Sequence, residues 1–208
     1  MGDIPLTLVT ATVWMYWICV GAMIVRVRRK ARHGVGLVPE ERKERYMWLV
    51  WVPLVAAWAT LPYLAHGRSG GLLAVPDFAL RVGAYAALRW MAAGVGIACL
   101  LLSIRAWRRM GKDWRMDVAV DTPTHLITDG LFSRIRHPIY AFSMLLMLCT
   151  AMILPSPPML AIAVVHIVLM NLKARNEERH LLQSNGEAYA RYVERTGRFF
   201  PRASTTGP

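Results

Sequence analysis

The residues with the most chemical potential form the run Arg134-Ile135-Arg136-His137-Pro138-Ile139-Tyr140, where a basic loop passes without a linker into an apolar segment. Pro138 has no N–H to lose and a preset φ, so it suits the first turn of a helix and makes His137 the cap residue. Such a helix start presents unpaired backbone N–H groups and the positive end of the helix dipole, with Arg134, Arg136 and His137 around it, which is anion-binding chemistry. Arginines at the end of a membrane helix also sit among lipid headgroups with no further role, so the rest of the chain must decide. A second polar group, Asn171, Arg175, Glu177, Glu178 and Arg179, follows the next apolar stretch. On a continuing helix, spacings of four and three put Asn171, Arg175 and Glu178 near one face, and Glu177 on a neighbouring face with Leu181. Adjacent glutamates diverge, so one is expected to face a site while the other pairs locally, and Glu178 with Arg175 is the nearby pair; the spacing leaves open which glutamate does which.

The elements that position these groups are membrane helices. The 208 residues are 55% hydrophobic, with a mean hydropathy of +0.34, high for a soluble chain. Ile4–Val25 and Tyr46–Leu64 are long enough to cross a ~30 Å hydrocarbon core, as is about 79–104; Pro53 should kink the second. Within the third, Arg81 can snorkel to the interface, whereas Arg89 lies deeper and requires a partner or a polar cavity. Pro138–Leu154 and Met159–Leu172 are shorter and read as a tight hairpin around Pro155-Ser156-Pro157-Pro158. The chain then becomes charged and amphipathic through Tyr192, with an interfacial Phe199-Phe200-Pro201 and a disordered end. This is an all-α, polytopic membrane protein of about five spans: three N-terminal helices over 1–104, then a region over 105–208 holding a connector, the hairpin and a C-terminal helix. Lys and Arg number eight in 26–45, seven in 105–137 and seven after the last span, against three elsewhere. The positive-inside rule therefore puts the N-terminus outside and the C-terminus in the cytoplasm. The net charge of +12 flanks the apolar runs, which points to anionic headgroups or an acidic cofactor and away from nucleic acid. The three cysteines lie in apolar runs without metal spacing, and His33 and His125 have no clustered partners, so no metal is expected.

The order Leu126-Ile127-Thr128-Asp129-Gly130-Leu131-Phe132-Ser133-Arg134-Ile135-Arg136-His137-Pro138-Ile139-Tyr140, an apolar hairpin, Glu177-Glu178-Arg179-His180-Leu181-Leu182, Gly186, Tyr189, Tyr192 and Arg198-Phe199-Phe200-Pro201 resembles the isoprenylcysteine carboxyl methyltransferase and phospholipid methyltransferase superfamily. Met110-Gly111-Lys112-Asp113-Trp114-Arg115 is similar to that superfamily's segment after the preceding span, and the match covers roughly the C-terminal half. Ala141-Phe142 departs from the pattern, since a glycine is common after the motif tyrosine. The resemblance implies an integral-membrane enzyme that binds S-adenosyl-L-methionine between the last two spans and the C-terminal helix. It implies cofactor binding by Arg136, His137, Pro138, Tyr140, Glu177, Glu178, Leu181 and Tyr189, with further walls from Phe132 or Phe199. A carboxylate acceptor would need an orienting cation, for which Arg175 or Arg179 is available, and an amine acceptor would need Glu177 or Glu178 as base.

The acceptor expected on these grounds is lipid-like or lipid-attached: a prenylated cysteine carboxylate, a phospholipid amine or a small hydrophobic thiol, reached from the bilayer. Two other readings compete. One is a nicotinamide-dependent membrane reductase, because sterol reductases have a similar C-terminal half; the other is a non-catalytic scaffold or transporter subunit. Gly94-Val95-Gly96 lies inside an apolar span and lacks a dinucleotide fingerprint. His166 is read as hydrogen-bonded to a neighbouring helix, the hairpin methionines as packing, and the tryptophans of the first two spans as interface anchors.

Overall fold

The computed structural model describes residues 2–30, 41–116 and 126–202. The middle of the first basic loop with His33, the middle of the connector with His125, and the last six residues lie outside the described residues. The described residues form six α-helices: α1 (Ile4–Lys30), α2 (Arg42–Ala65), the short α3 (Asp77–Arg81), α4 (Gly83–Met110), α5 (Pro138–Ile153) and α6 (Pro157–Arg195). Helices α1, α2, α4 and α6 are long and apolar enough to cross a membrane. Helix α5 is apolar but only 16 residues long, about 24 Å at 1.5 Å per residue, so it stops short of a ~30 Å core. The protein is thus an integral membrane helical bundle ending in the expected hairpin.

The structure adds three details to the sequence reading. The stretch before the third span forms its own turn of helix, α3, in which Arg81 pairs with Asp77 at 3.0 Å while both remain exposed. Helix α2 continues through both Pro53 and Pro62. Helix α6 does not end at the membrane; 39 residues run from the hairpin to Arg195. About twenty of these suffice to cross the bilayer, so the half from Glu177 onward projects beyond it.

Apolar side chains fill the bundle centre, with Trp58, Trp107, Leu146, Met147, Ile153 and Met159 among the fully buried ones. Helices α4 and α5 approach closely at Gly96, where an added Cβ would lie 3.2 Å from Leu146 Cδ1. Several polar groups inside the bundle are paired, as the absence of water in a bilayer favours. His166 Nε2 and Ser143 Oγ are 3.0 Å apart, and Trp58 Nε1 donates to Thr150 Oγ1 at 3.1 Å. The end of α5 leaves carbonyls that its own helix cannot satisfy. The Tyr85 hydroxyl donates to Met152 O at 3.0 Å, and Arg89 Nε to Ile153 O at 3.0 Å. Arg89 also pairs with Asp3 at 2.5 Å, the partner that its depth required.

Candidate active site

The site is built where α5 begins and α6 leaves the membrane. His137 occupies the cap position of α5 and Pro138 its first turn, as their types suggested. The imidazole does not cap the helix; it is buried, with Nδ1 3.4 Å from Glu177 Oε2 and Nε2 3.3 Å from Glu178 Oε1. Both glutamates therefore reach one ring from either side. Helix geometry permits this because His137 approaches α6 across the two adjacent positions. Tyr140 stacks on the imidazole, with ring centroids 5.4 Å apart and planes within 5°, while Phe199 closes the other flank at 6.2 Å.

Past the membrane, Gly186 breaks α6 with φ of 49°, a backbone conformation open to glycine and costly for other residues. The final turns are thereby redirected, and Tyr189 and Tyr192 become buried. The Tyr192 hydroxyl donates to Phe132 O at 2.6 Å. The chain then returns alongside the loop before α5: Arg136 N donates to Gly197 O at 2.8 Å, Gly197 N to Arg134 O at 3.1 Å, and His137 N to Arg198 O at 3.0 Å. A Cβ on Gly197 would lie 1.7 Å from Phe200 O, so this return admits only glycine.

Glu178 is the hub of the closure. It accepts from Arg136 Nε at 3.0 Å and from both Nε and NH2 of Arg198 at 3.0 and 2.5 Å. Arg136 also donates to the carbonyls of Val193 and Thr196 at the end of α6, a favourable place for a cation. Burial acts against charge on both glutamates, yet the hydrogen bonds from His137, joined at Glu178 by those from Arg198 and Arg136, hold their pKa values below the ordinary carboxylate range. Burial likewise disfavours charge on His137, and the two carboxylates outweigh it, raising the imidazole pKa above 6.5. The cluster is therefore an ion network in which the two carboxylates favour the charged form of the histidine at its centre.

Two cavities meet here. An open cleft on the polar side is lined by Arg136, His137, Pro138, Tyr140 and Glu177, and extends past Phe132 to Leu181 and Tyr189. Seven of the sequence-predicted residues thus come together, while Glu178 lies behind Glu177 and is engaged by the arginines. Arg175 and Arg179 are exposed on other faces of α6 and are not brought to the cleft; the anticipated Glu178–Arg175 pair is replaced by Glu178–Arg136 and Glu178–Arg198. The second cavity, about 700 Å³ counting its open mouth, lies among the membrane helices, with Tyr16, Trp17, Trp48, Trp51 and Trp107 in its walls. Three of the first two spans' tryptophans are thus pocket walls, and a fourth, Trp58, is fully buried; the anchor reading holds poorly for them. Trp114, Arg115, Ile139 and Tyr140 line both cavities.

Sequence reasoning missed Lys173 and the role of Arg115. Lys173 lines the aromatic pocket, and its Nζ donates to Met116 O at 2.5 Å and lies 4.0 Å from Glu44. Its position one turn before Glu177 was the available signal.

Comparison with known proteins agrees with this architecture. Residues 87–188 match the family model described as phospholipid methyltransferase. No curated protein sequence matches the chain. Among solved structures, a eukaryotic intramembrane Ras methyltransferase, isoprenylcysteine carboxyl methyltransferase, superposes with a TM-score of 0.54 at 19% identity, over 86% of this chain. The chain spans 60% of that protein's length, and at this identity the likeness shows the fold. The family match, which covers just under half of the chain across the last helices, falls on the same segment that resembles the isoprenylcysteine carboxyl methyltransferase and phospholipid methyltransferase superfamily, and the membrane fold is shared.

Proposed function

We propose that the protein is a membrane methyltransferase that takes S-adenosyl-L-methionine in the polar cleft and a lipid-like acceptor in the aromatic pocket. The observation that carries this reading is the junction of the two cavities at Trp114, Arg115, Ile139 and Tyr140. A water-borne reactant and a bilayer-borne one can meet there without either leaving its own medium.

The donor set suits the cofactor. Cations at Arg136 and His137 match a carboxylate, Glu177 matches an ammonium or a ribose diol, and Phe132, Leu181 and Tyr189 give an adenine apolar walls. One buried polar atom at the cleft, Tyr189 Oη, makes no hydrogen bond within the protein. When bound, the cofactor would supply an electrophilic methyl group on a sulfonium. The chain's own work is then positioning and exclusion of water. Tyr140, stacked on the His137 ring, fixes the wall between the two reactants. Lys173 and Arg115 put positive charge on the acceptor side, where they would orient a carboxylate or phosphate; Glu177 is the base within reach of the junction for an amine acceptor. Both an isoprenylcysteine carboxylate and a phospholipid amine fit this arrangement. The basic flanks support a cytoplasmic position for the cleft.

The test is a thermal shift of the detergent-purified protein with S-adenosylhomocysteine, against NADPH, for wild type, His137→Ala and Glu177→Ala. A concentration-dependent rise with S-adenosylhomocysteine alone, lost in the variants, supports the reading. A rise with NADPH instead supports a reductase, and no rise with either refutes an enzyme of this cofactor class.

A further inference from the structure

We propose that a groove between α1 and α4 is a binding site for one anionic phospholipid, separate from the acceptor pocket. On α1, Cys19, Ala22, Met23 and Arg26 follow one another at spacings of three, one and three, and on α4, Ile104, Trp107 and Arg108 do the same at three and one. These seven residues line one cavity of about 430 Å³ counting its open side. Helical periodicity explains the alignment: each helix turns one stripe toward the groove, apolar first and basic at the end. Helices α1 and α4 are the first and third spans, so they run in the same direction across the membrane. Arg26 and Arg108 therefore stand together at the face where α5 begins and the polar cleft opens.

Both guanidiniums are exposed, and among the described residues neither has an ion-pair partner. The pairing of two uncompensated cations with an apolar channel directly beneath them is complementary to one kind of occupant. A phosphodiester with a net negative charge satisfies the arginines, and its acyl chain lies along Cys19, Ala22, Met23 and Ile104. A zwitterionic headgroup brings its own cation to the same place and gains less. Trp107, only 2% exposed, has one face in this groove and another in the acceptor pocket, so its ring is the partition between the two sites. The inference does not depend on methyl transfer.

The experiment is native mass spectrometry of the full chain from micelles doped with equal dioleoyl phosphatidylglycerol and dioleoyl phosphatidylcholine. Wild type is expected to retain one phosphatidylglycerol with a preference of roughly five-fold per arginine, about 25-fold for the pair. Arg26→Gln with Arg108→Gln should reduce the preference to about one. Arg81→Gln, whose charge is paired at the opposite membrane face, should leave it unchanged. Ala22→Trp fills the channel without touching the arginines and should also abolish retention, which guards against a misfolded arginine variant. Equal retention of both lipids by wild type, undiminished preference in the double variant, or undiminished retention in Ala22→Trp would each overturn the site. A thermal shift with inorganic phosphate equal to that with phosphatidylglycerol would overturn it too, because the groove would then be a free-anion site.

Discussion

Replacing Glu178 by Gln tests whether the closure of the C-terminal segment depends on one carboxylate. Glu178 accepts hydrogen bonds from Arg136 and Arg198 and approaches His137 at 3.3 Å. The side chain of Arg136 is 10% exposed and that of Glu178 14%, whereas Arg198 is 32% exposed. Breaking a buried pair costs about 3–5 kcal/mol because a charge is left without compensation. Arg198 can rehydrate, and the glutamine oxygen can still accept one donor, so about 2–3 kcal/mol is the appropriate scale. For a chain of this size each kcal/mol moves the Tm by ~2–4 °C, which gives a fall of roughly 5–10 °C by the same scaling. The assay is thermal unfolding of detergent-purified protein from pH 4 to pH 8. Because the folded pKa of Glu178 is depressed below 4.5, its stabilisation is present above that value and is lost as pH falls through the lower folded one. The loss from Glu178→Gln should therefore be full across neutral pH and narrow on the acid side. A fall of under 2 °C at pH 7, with the response to S-adenosylhomocysteine intact, would refute the claim that this carboxylate holds the segment closed.

Other perturbations separate the remaining roles. Gly197→Ala should abolish the return of the chain, since its Cβ would overlap Phe200 O; loss of the S-adenosylhomocysteine shift with helical circular dichroism retained is expected, and an unaltered shift would contradict the geometry. The folded pKa of His137 lies above 6.5, so its contribution is complete below 6.5 and declines as pH rises through the folded value; Tm and cofactor-analogue affinity should weaken on the alkaline side in wild type and respond less in His137→Gln. Lys173→Met should lower methyl transfer to a lipid acceptor at least ten-fold while Arg175→Met changes it less than two-fold, the reverse ranking placing the acceptor on the other face of α6. Trp51→Ala should raise the KM for the acceptor and leave the S-adenosylhomocysteine shift unchanged, and a loss of that shift would mean that the two cavities do not divide the reactants.

The sequence made the spans and the two halves of the site legible, because apolar length and helix-start chemistry are local properties. Arg136, His137, Pro138 and Tyr140 could be assigned to a helix beginning from Pro138 alone. Periodicity also grouped Glu177 with Leu181, and both line the cleft. What it misjudged depends on distance in space. The partner of Glu178 was sought at Arg175, three residues away, whereas the chain reversal after Gly186 delivers Arg198 from twenty residues away. Nothing in local spacing reports that reversal. Nor does composition distinguish a tryptophan at the headgroup level from one turned inward, which is why Trp17, Trp48 and Trp51 became visible as pocket walls only once α1, α2 and α4 were packed together.

The short α5 explains why the site sits at a fixed height. A full-length helix could slide along its neighbours by small steps, since lipid-facing apolar surface gives little register. Helix α5 is instead held at both ends. At its start, His137 is locked between the two glutamates and its backbone N–H is bonded to Arg198 O. At its finish, the carbonyls of Met152 and Ile153 receive Tyr85 and Arg89, and Arg89 is in turn tied to Asp3 beside the start of α1. Any axial displacement of α5 would leave carbonyls and a guanidinium unsatisfied in a medium without water, a cost of several kcal/mol. The buried arginine near the far face thus acts on the cleft through the rigid length of α5: it sets the level at which Tyr140 divides the polar cleft from the aromatic pocket.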